Sequence, residues 1–177
     1  MKRVFLRMAC LVLAASAVAL CACAGVSVRD IDVVAVGASL RDEFVAEARG
    51  YTYSSDSDIW TLDEDMVRSV YGDAGEMPDY QSLTDYFVYL DTTTPTDPCE
   101  FGIFKLNDQA DKALFRDFLK ARVAMLLANA KNYPSVKTGA LKTAEFGAQG
   151  NYVWYFVISG RNAEANSRLV SLLNGDE

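Results

Sequence analysis

An α+β domain is the fold class the sequence predicts, and three observations carry that expectation. Two stretches of helical periodicity come first, over 32–48 and 62–71. Runs rich in aromatic and β-branched residues then follow in two pairs, and each pair leads into a further helical stretch. Two N-terminal helices followed by ββα-ββα predict a four-stranded antiparallel sheet with both later helices packed on one face.

The first helix repeats Val33, Val36, Leu40 and Phe44 on one side, sets Arg41, Asp42, Glu43 and Glu47 on the other, and stops at Gly50. Positions 51–58 read as a polar loop. Asp56 does not open a calcium loop, because Thr61 stands where the turn needs glycine and Val67 where a bidentate glutamate belongs. Thr61-Leu62-Asp63-Glu64 fits a capping box, and Asp63, Glu64 and Asp65 face the positive end of the helix that runs to Tyr71. Strands are expected over 85–91 and 100–106, joined by a loop whose Pro95 and Pro98 cannot donate to a ladder. Asn107 or Asp108 caps a helix reaching about Asn129, roughly 33 Å long. Its stripe is Leu114, Phe118, Ala121 and Met125, and Asn132-Tyr133-Pro134-Ser135 breaks it. Positions 140–146 read as a weak strand and 151–159 as the strongest, and the last helix holds Leu169, Leu172 and Leu173.

Alternation puts Tyr152, Trp154, Phe156 and Ile158 on one face of the last strand and Val153, Tyr155 and Val157 on the other. Both faces are apolar, so one helix layer leaves a face that something else must cover. Two coverings are expected: the N-terminal helices, or a ligand or partner in an aromatic groove whose candidate residues are Tyr152, Trp154 and Phe156.

The start of the chain has the order of an export signal: Lys2, Arg3 and Arg7, an apolar run from Met8 to Leu20, then small residues around a cysteine. Leu20-Cys21-Ala22-Cys23 resembles a lipobox, which makes Cys23 the lipidated first residue of the mature chain. Ala22-Cys23-Ala24 also fits an ordinary signal-peptidase site, and the uncharged run from Ala9 to Val28 is long enough for an uncleaved anchor. The lipid-anchored reading divides the chain into a signal peptide (1–22), a short tether (23–31) and a single domain (32–177). Removal of the signal leaves 155 of 177 residues, one domain's worth, able to bury about two thirds of its unfolded surface.

Of 17 Lys and Arg residues three lie in the signal, so 14 face 24 Asp and Glu in the remainder, a net charge of −10. That balance argues against nucleic acid as a partner. Cys10 and Cys21 leave with the signal and Cys23 takes lipid, so Cys99 remains without an intramolecular disulfide partner. There is no histidine, which removes Ser-His and Cys-His pairs and His-ligated metals. Nucleotide-binding glycine loops and the G-x-S-x-G elbow are missing as well. What remains for catalysis is a carboxylate pair, with Asp91, Asp97, Glu100 and Glu145 expected near strand ends.

Several short motifs recur in a set order: Val70-Tyr71-Gly72, Tyr86 to Leu90, Glu100-Phe101-Gly102-Ile103-Phe104-Lys105, Tyr133-Pro134, and Gly150-Asn151-Tyr152-Val153. In order and spacing, from about Ile31 to Leu173, the chain resembles a family of uncharacterised bacterial lipoproteins known only as a domain of unknown function. Tyr133-Pro134-Ser135 departs from the pattern in lacking an acidic residue soon after the proline. The resemblance implies an exported lipoprotein with a small α+β domain and supplies no catalytic residues. The combined expectation is a lipid-anchored, membrane-proximal accessory or binding lipoprotein in the cell envelope, held to the membrane through Cys23. It is expected to be no enzyme, to use no cofactor or metal, and to bind an envelope protein or small ligand. The alternative is a carboxylate-dependent hydrolase of cell-envelope glycans, which needs two acids about 5–10 Å apart in one cleft.

Overall fold

The computed structural model describes residues 28–45, 47–72, 75–91 and 93–176. The expected export signal, the expected lipidation site Cys23 and the first residues of the expected tether lie outside them. Among the described residues no helix is long and apolar enough to cross a membrane.

Helix α1 spans Val33–Phe44, with Asp32 at its N-cap accepting from the Ala35 N–H at 2.9 Å. It ends four residues earlier than the expected Ala48, because Val45 turns to an extended conformation. The supposed polar loop contains a strand, β1 (Tyr51–Ser54). Helix α2 spans Glu64–Tyr71, and its cap is Asp63, which accepts from the Met66 N–H at 2.7 Å, in place of Thr61. Strands β2 (Leu83–Asp91) and β3 (Cys99–Leu106) form the expected hairpin. Helix α3 spans Lys112–Ala130. Asp111 caps it, since the Asn107 side chain instead accepts from the Gln109 N–H and closes the preceding turn.

The expected strand over 140–146 is corrected. Gly139–Lys142 forms a single helical turn, α4, which buries Ala140 and Leu141, and strand β4 follows at Glu145–Gln149. The turn is held by Asn162, whose amide donates to the Ala140 and Thr143 carbonyls at 2.9 and 2.8 Å. Strand β5 (Tyr152–Val157) and helix α5 (Asn162–Asn174) complete the chain.

The sheet is antiparallel throughout and has five strands rather than four, in the order β1-β2-β3-β5-β4. It forms the middle of three layers. Tyr86, Val88, Leu90, Phe104, Val153, Tyr155 and Val157 pack under α2 and α3, against Val67, Phe115, Phe118 and Leu119. Phe87, Tyr89, Phe101, Ile103, Tyr152, Trp154 and Phe156 pack under α1 and α5, against Val33, Leu40, Ala165, Leu169 and Leu173. The two later helices are therefore on opposite faces, not on one. The reason lies in the central strands, which are apolar on both sides, so each face needs a long helix to remove it from water. Of the two N-terminal helices only α1 helps to cover the face that carries Trp154.

Residues 28–31, expected to be tether, are held on the domain. The Arg29 N–H donates to the Leu173 carbonyl at 2.7 Å, and the Ile31 N–H donates to the Tyr152 hydroxyl at 3.0 Å. Asp30 accepts from Lys105 Nζ at 2.6 Å and from the Tyr152 hydroxyl at 2.5 Å. The chain thus joins the domain at the Lys105 end of β3.

Candidate functional site

Tyr152, Trp154 and Phe156, expected as a binding face, are 3 %, 2 % and 0 % exposed beneath α1 and α5. The indole N–H of Trp154 donates to Asn166 of α5 at 2.8 Å, and its ring fills the space over Gly147, where an added Cβ would lie 2.1 Å from it. These residues form no open groove; they are core.

The opposite face has an opening where its layers part. A cavity of about 350 Å³ lies between the β2–β3 loop, the start of β1, α2 and α3. Its polar floor is Glu100 and Arg122, and Tyr51, Tyr53, Asp91 and Ser69 stand around it. Glu100 is the first inward residue of β3 after Cys99, and Arg122 comes from the buried side of α3, one turn from Phe118 and from Leu126.

The Glu100–Arg122 pair is bidentate: Nε donates to Oε1 at 3.2 Å and Nη2 to Oε2 at 3.0 Å. The side chains are 8 % and 14 % exposed, so the charges sit almost out of water. The Tyr155 hydroxyl donates to Glu100 Oε1 at 3.2 Å and lies 3.5 Å from the Tyr71 hydroxyl. The guanidinium carbon of Arg122 sits 5.9 Å from the Tyr71 ring centroid, a cation–π contact. Burial opposes the charge on Arg122, but the neighbouring Glu100 outweighs it and raises the pKa above its ordinary value. Burial also drives both tyrosines upward, so their hydroxyls stay protonated and remain hydrogen-bond donors.

The four acids expected near strand ends are brought together in part: Asp91 and Asp97 line a second cavity of about 300 Å³ beside Cys99, Phe44 and Arg161. Asp91 and Glu100 line the first cavity. Asp97 pairs with Lys137 at 2.8 Å, and Glu145 opens the edge strand β4. Burial pulls the Asp91 pKa upward, yet hydrogen bonds from Thr93 and Thr94 outweigh it and leave the carboxyl below its ordinary value. Both Glu100 oxygens are occupied by Arg122. Asp91 is therefore ionised at neutral pH, and Glu100 is engaged by its two bonds to Arg122. Cys99 lies beside them, half-buried and free; burial, reinforced by Asp91, Asp97 and Glu100, pushes its thiol up to about 12. It is not a nucleophile at neutral pH.

Tyr51 and Tyr53, which line the cavity, meet Trp60, which lies just beyond its lining. Tyr51 and Trp60 have centroids 5.3 Å apart, and Trp60 meets Tyr53 edge-on at 5.7 Å. Tyr51 is 48 % and Trp60 42 % exposed. The sequence reading missed these rings and Arg122 together. A lone arginine flanked at helical spacing by Phe118 and Leu126 was the available signal, since such a residue must lie on the apolar side.

Among the described residues no group of His, Cys, Asp and Glu could hold a metal. No family model, curated protein or solved structure matches the chain.

Proposed function

We propose that the protein is an exported, lipid-anchored binding lipoprotein of the cell envelope, non-enzymatic, with the cavity over Glu100 and Arg122 as its binding site. One observation carries the reading: a charged pair is buried in the floor of an aromatic-rimmed opening at the far end of the sheet from where the chain joins. Glu100 lies five residues along β3 from Lys105, about 17 Å at strand rise. Residues 28–31 are bound to the domain, so lipid on Cys23 leaves 23–27 as tether, reaching at most about 18 Å. A domain so anchored stands with its Lys105 end toward the bilayer and its cavity away from it.

The hydrolytic alternative draws on Asp91 and Glu100 lining one cavity. It needs one carboxyl free to carry and give up a proton, whereas both Glu100 oxygens are taken by Arg122 and hydrogen bonds from Thr93 and Thr94 hold the Asp91 carboxyl below its ordinary range.

The membrane attachment is tested in growing bacterial cells. Metabolic labelling with an alkyne palmitate analogue is expected to tag the wild-type chain, and the chain is expected to fractionate with membranes. Cys23→Ala is expected to lose the label and leave the membrane fraction. An unlabelled wild type, or a variant that fractionates unchanged, rules the anchor out.

A further inference from the structure

We propose that the cavity takes a neutral oligosaccharide, stacked on Tyr51 and Trp60 and hydrogen-bonded over Glu100 and Arg122; this rests on the binding reading above and names its ligand class. The chemistry of the lining disfavours the other classes in turn. Anions meet the Asp91 carboxylate, an Arg122 charge already neutralised by Glu100, and an acidic domain around the cavity. A cation finds the buried carboxylate and the Tyr71 ring already taken by Arg122, which leaves it only Asp91, whose carboxylate already accepts from Thr93. A purely apolar ligand would strip water from a charged floor without replacing the lost hydrogen bonds.

A polyhydroxylated ligand suffers none of these penalties. Each hydroxyl both donates and accepts, which suits a floor that offers a carboxylate at Asp91, a hydroxyl at Ser69 and a guanidinium at Arg122. Nε and Nη2 of Arg122 go to Glu100, while Nη1 has no protein partner among the described residues. Sugar rings also carry apolar C–H faces, which match the exposed rings of Tyr51 and Trp60. At about 350 Å³ the cavity is near the lower end of the ~300–1,000 Å³ typical of small-ligand sites. It accommodates a short glycan segment rather than a polymer strand along its length.

The test uses the full chain in detergent micelles, titrated with chitotriose, cellotriose and maltotriose by calorimetry and saturation-transfer NMR. Tetramethylammonium chloride and inorganic phosphate serve as cationic and anionic probes. Saturable binding of at least one sugar is expected, with saturation transfer to its ring protons and none to tetramethylammonium. Tyr51→Ala and, separately, Trp60→Ala are expected to weaken binding about tenfold, equivalent to about 1.4 kcal/mol, with an unchanged thermal melt. Trp60→Ala decides the matter if Tyr51→Ala melts early, and the reverse holds. The proposal is overturned if no sugar saturates, if tetramethylammonium or phosphate binds instead, or if sugar binding survives both substitutions. Such a result leaves the lipid anchor standing, because palmitate labelling reads that separately.

Discussion

Glu100 and Arg122 illustrate how a buried charge is tolerated. Each is expensive out of water, and the pair survives because its two parallel hydrogen bonds and the Tyr155 hydroxyl satisfy the carboxylate. Arg122→Met removes the cation and strands Glu100, so a loss of about 3–5 kcal/mol is expected in urea unfolding. The double variant Glu100→Gln/Arg122→Met is expected to regain most of that loss, since no uncompensated charge remains. A double variant no better than the single one would mean that the pair's contribution is packing alone. Asp30 provides a second, more exposed case. Hydrogen bonds from Lys105 and then Tyr152 hold it below its ordinary 3.8, while Lys105 is raised above 10.5 by the bond to Asp30. The Asp30 contribution is therefore complete above about pH 4 and disappears as pH falls through its lowered folded value. That of Lys105 is present below its unfolded value and is lost as pH rises through the raised one. Asp30→Asn is expected to melt below wild type at pH 7, and the two melts are expected to converge in strong acid. A gap that persists below Asp30's folded value would show that the aspartate's charge is not the cause.

Helix and sheet meet closely at Gly37, which reports on how the layers are set. In α1, a Cβ on Gly37 would lie 2.2 Å from the Phe87 ring, whose own Cβ is only 2.6 Å away. The ring cannot swing clear without moving β2. Gly37→Ala is therefore expected to destabilise by about 1–3 kcal/mol in thermal or chemical unfolding, despite alanine's better helix propensity. An unchanged or higher midpoint would mean that α1 is free to slide on the sheet. Most elements were readable from the chain because their apolar periods are unambiguous: α1, α2, β2, β3, α3, β5 and α5 all match expected stretches. Three were not. Strand β4 overlaps the expected strand only at 145–146 and runs on through the expected turn. The four residues of β1 are too few for alternation to register, and Ser55 to Asp58 after them reads as loop. The turn over 139–142 falls at the start of the strand expected over 140–146, since a single buried turn has the same apolar content and its brace, Asn162, comes twenty residues later.

Across the molecule, three layers put the strongest strand in the middle and use every apolar side chain of β5 as core. The aromatic face that looked available for a ligand is covered by α1 and α5, and the cavity over Glu100 and Arg122 lies on the other side, between the β2–β3 loop, α2 and α3. Residues 28–31 and the cavity occupy opposite ends of β3, so the proposed anchor and the proposed binding site would not obstruct each other.

Local order in the chain was enough to define an acidic α+β domain, its antiparallel hairpin, its long helix and the chemistry it lacks, because composition and side-chain period are properties of neighbours in sequence. Which helix covers which face, the fifth strand and the meeting of Tyr51, Glu100 and Arg122 depend on contacts between residues far apart in the chain. Such contacts leave no periodic trace. They follow from the need to take both apolar faces of one sheet out of water at once, a requirement that exists only when the whole domain has closed around it.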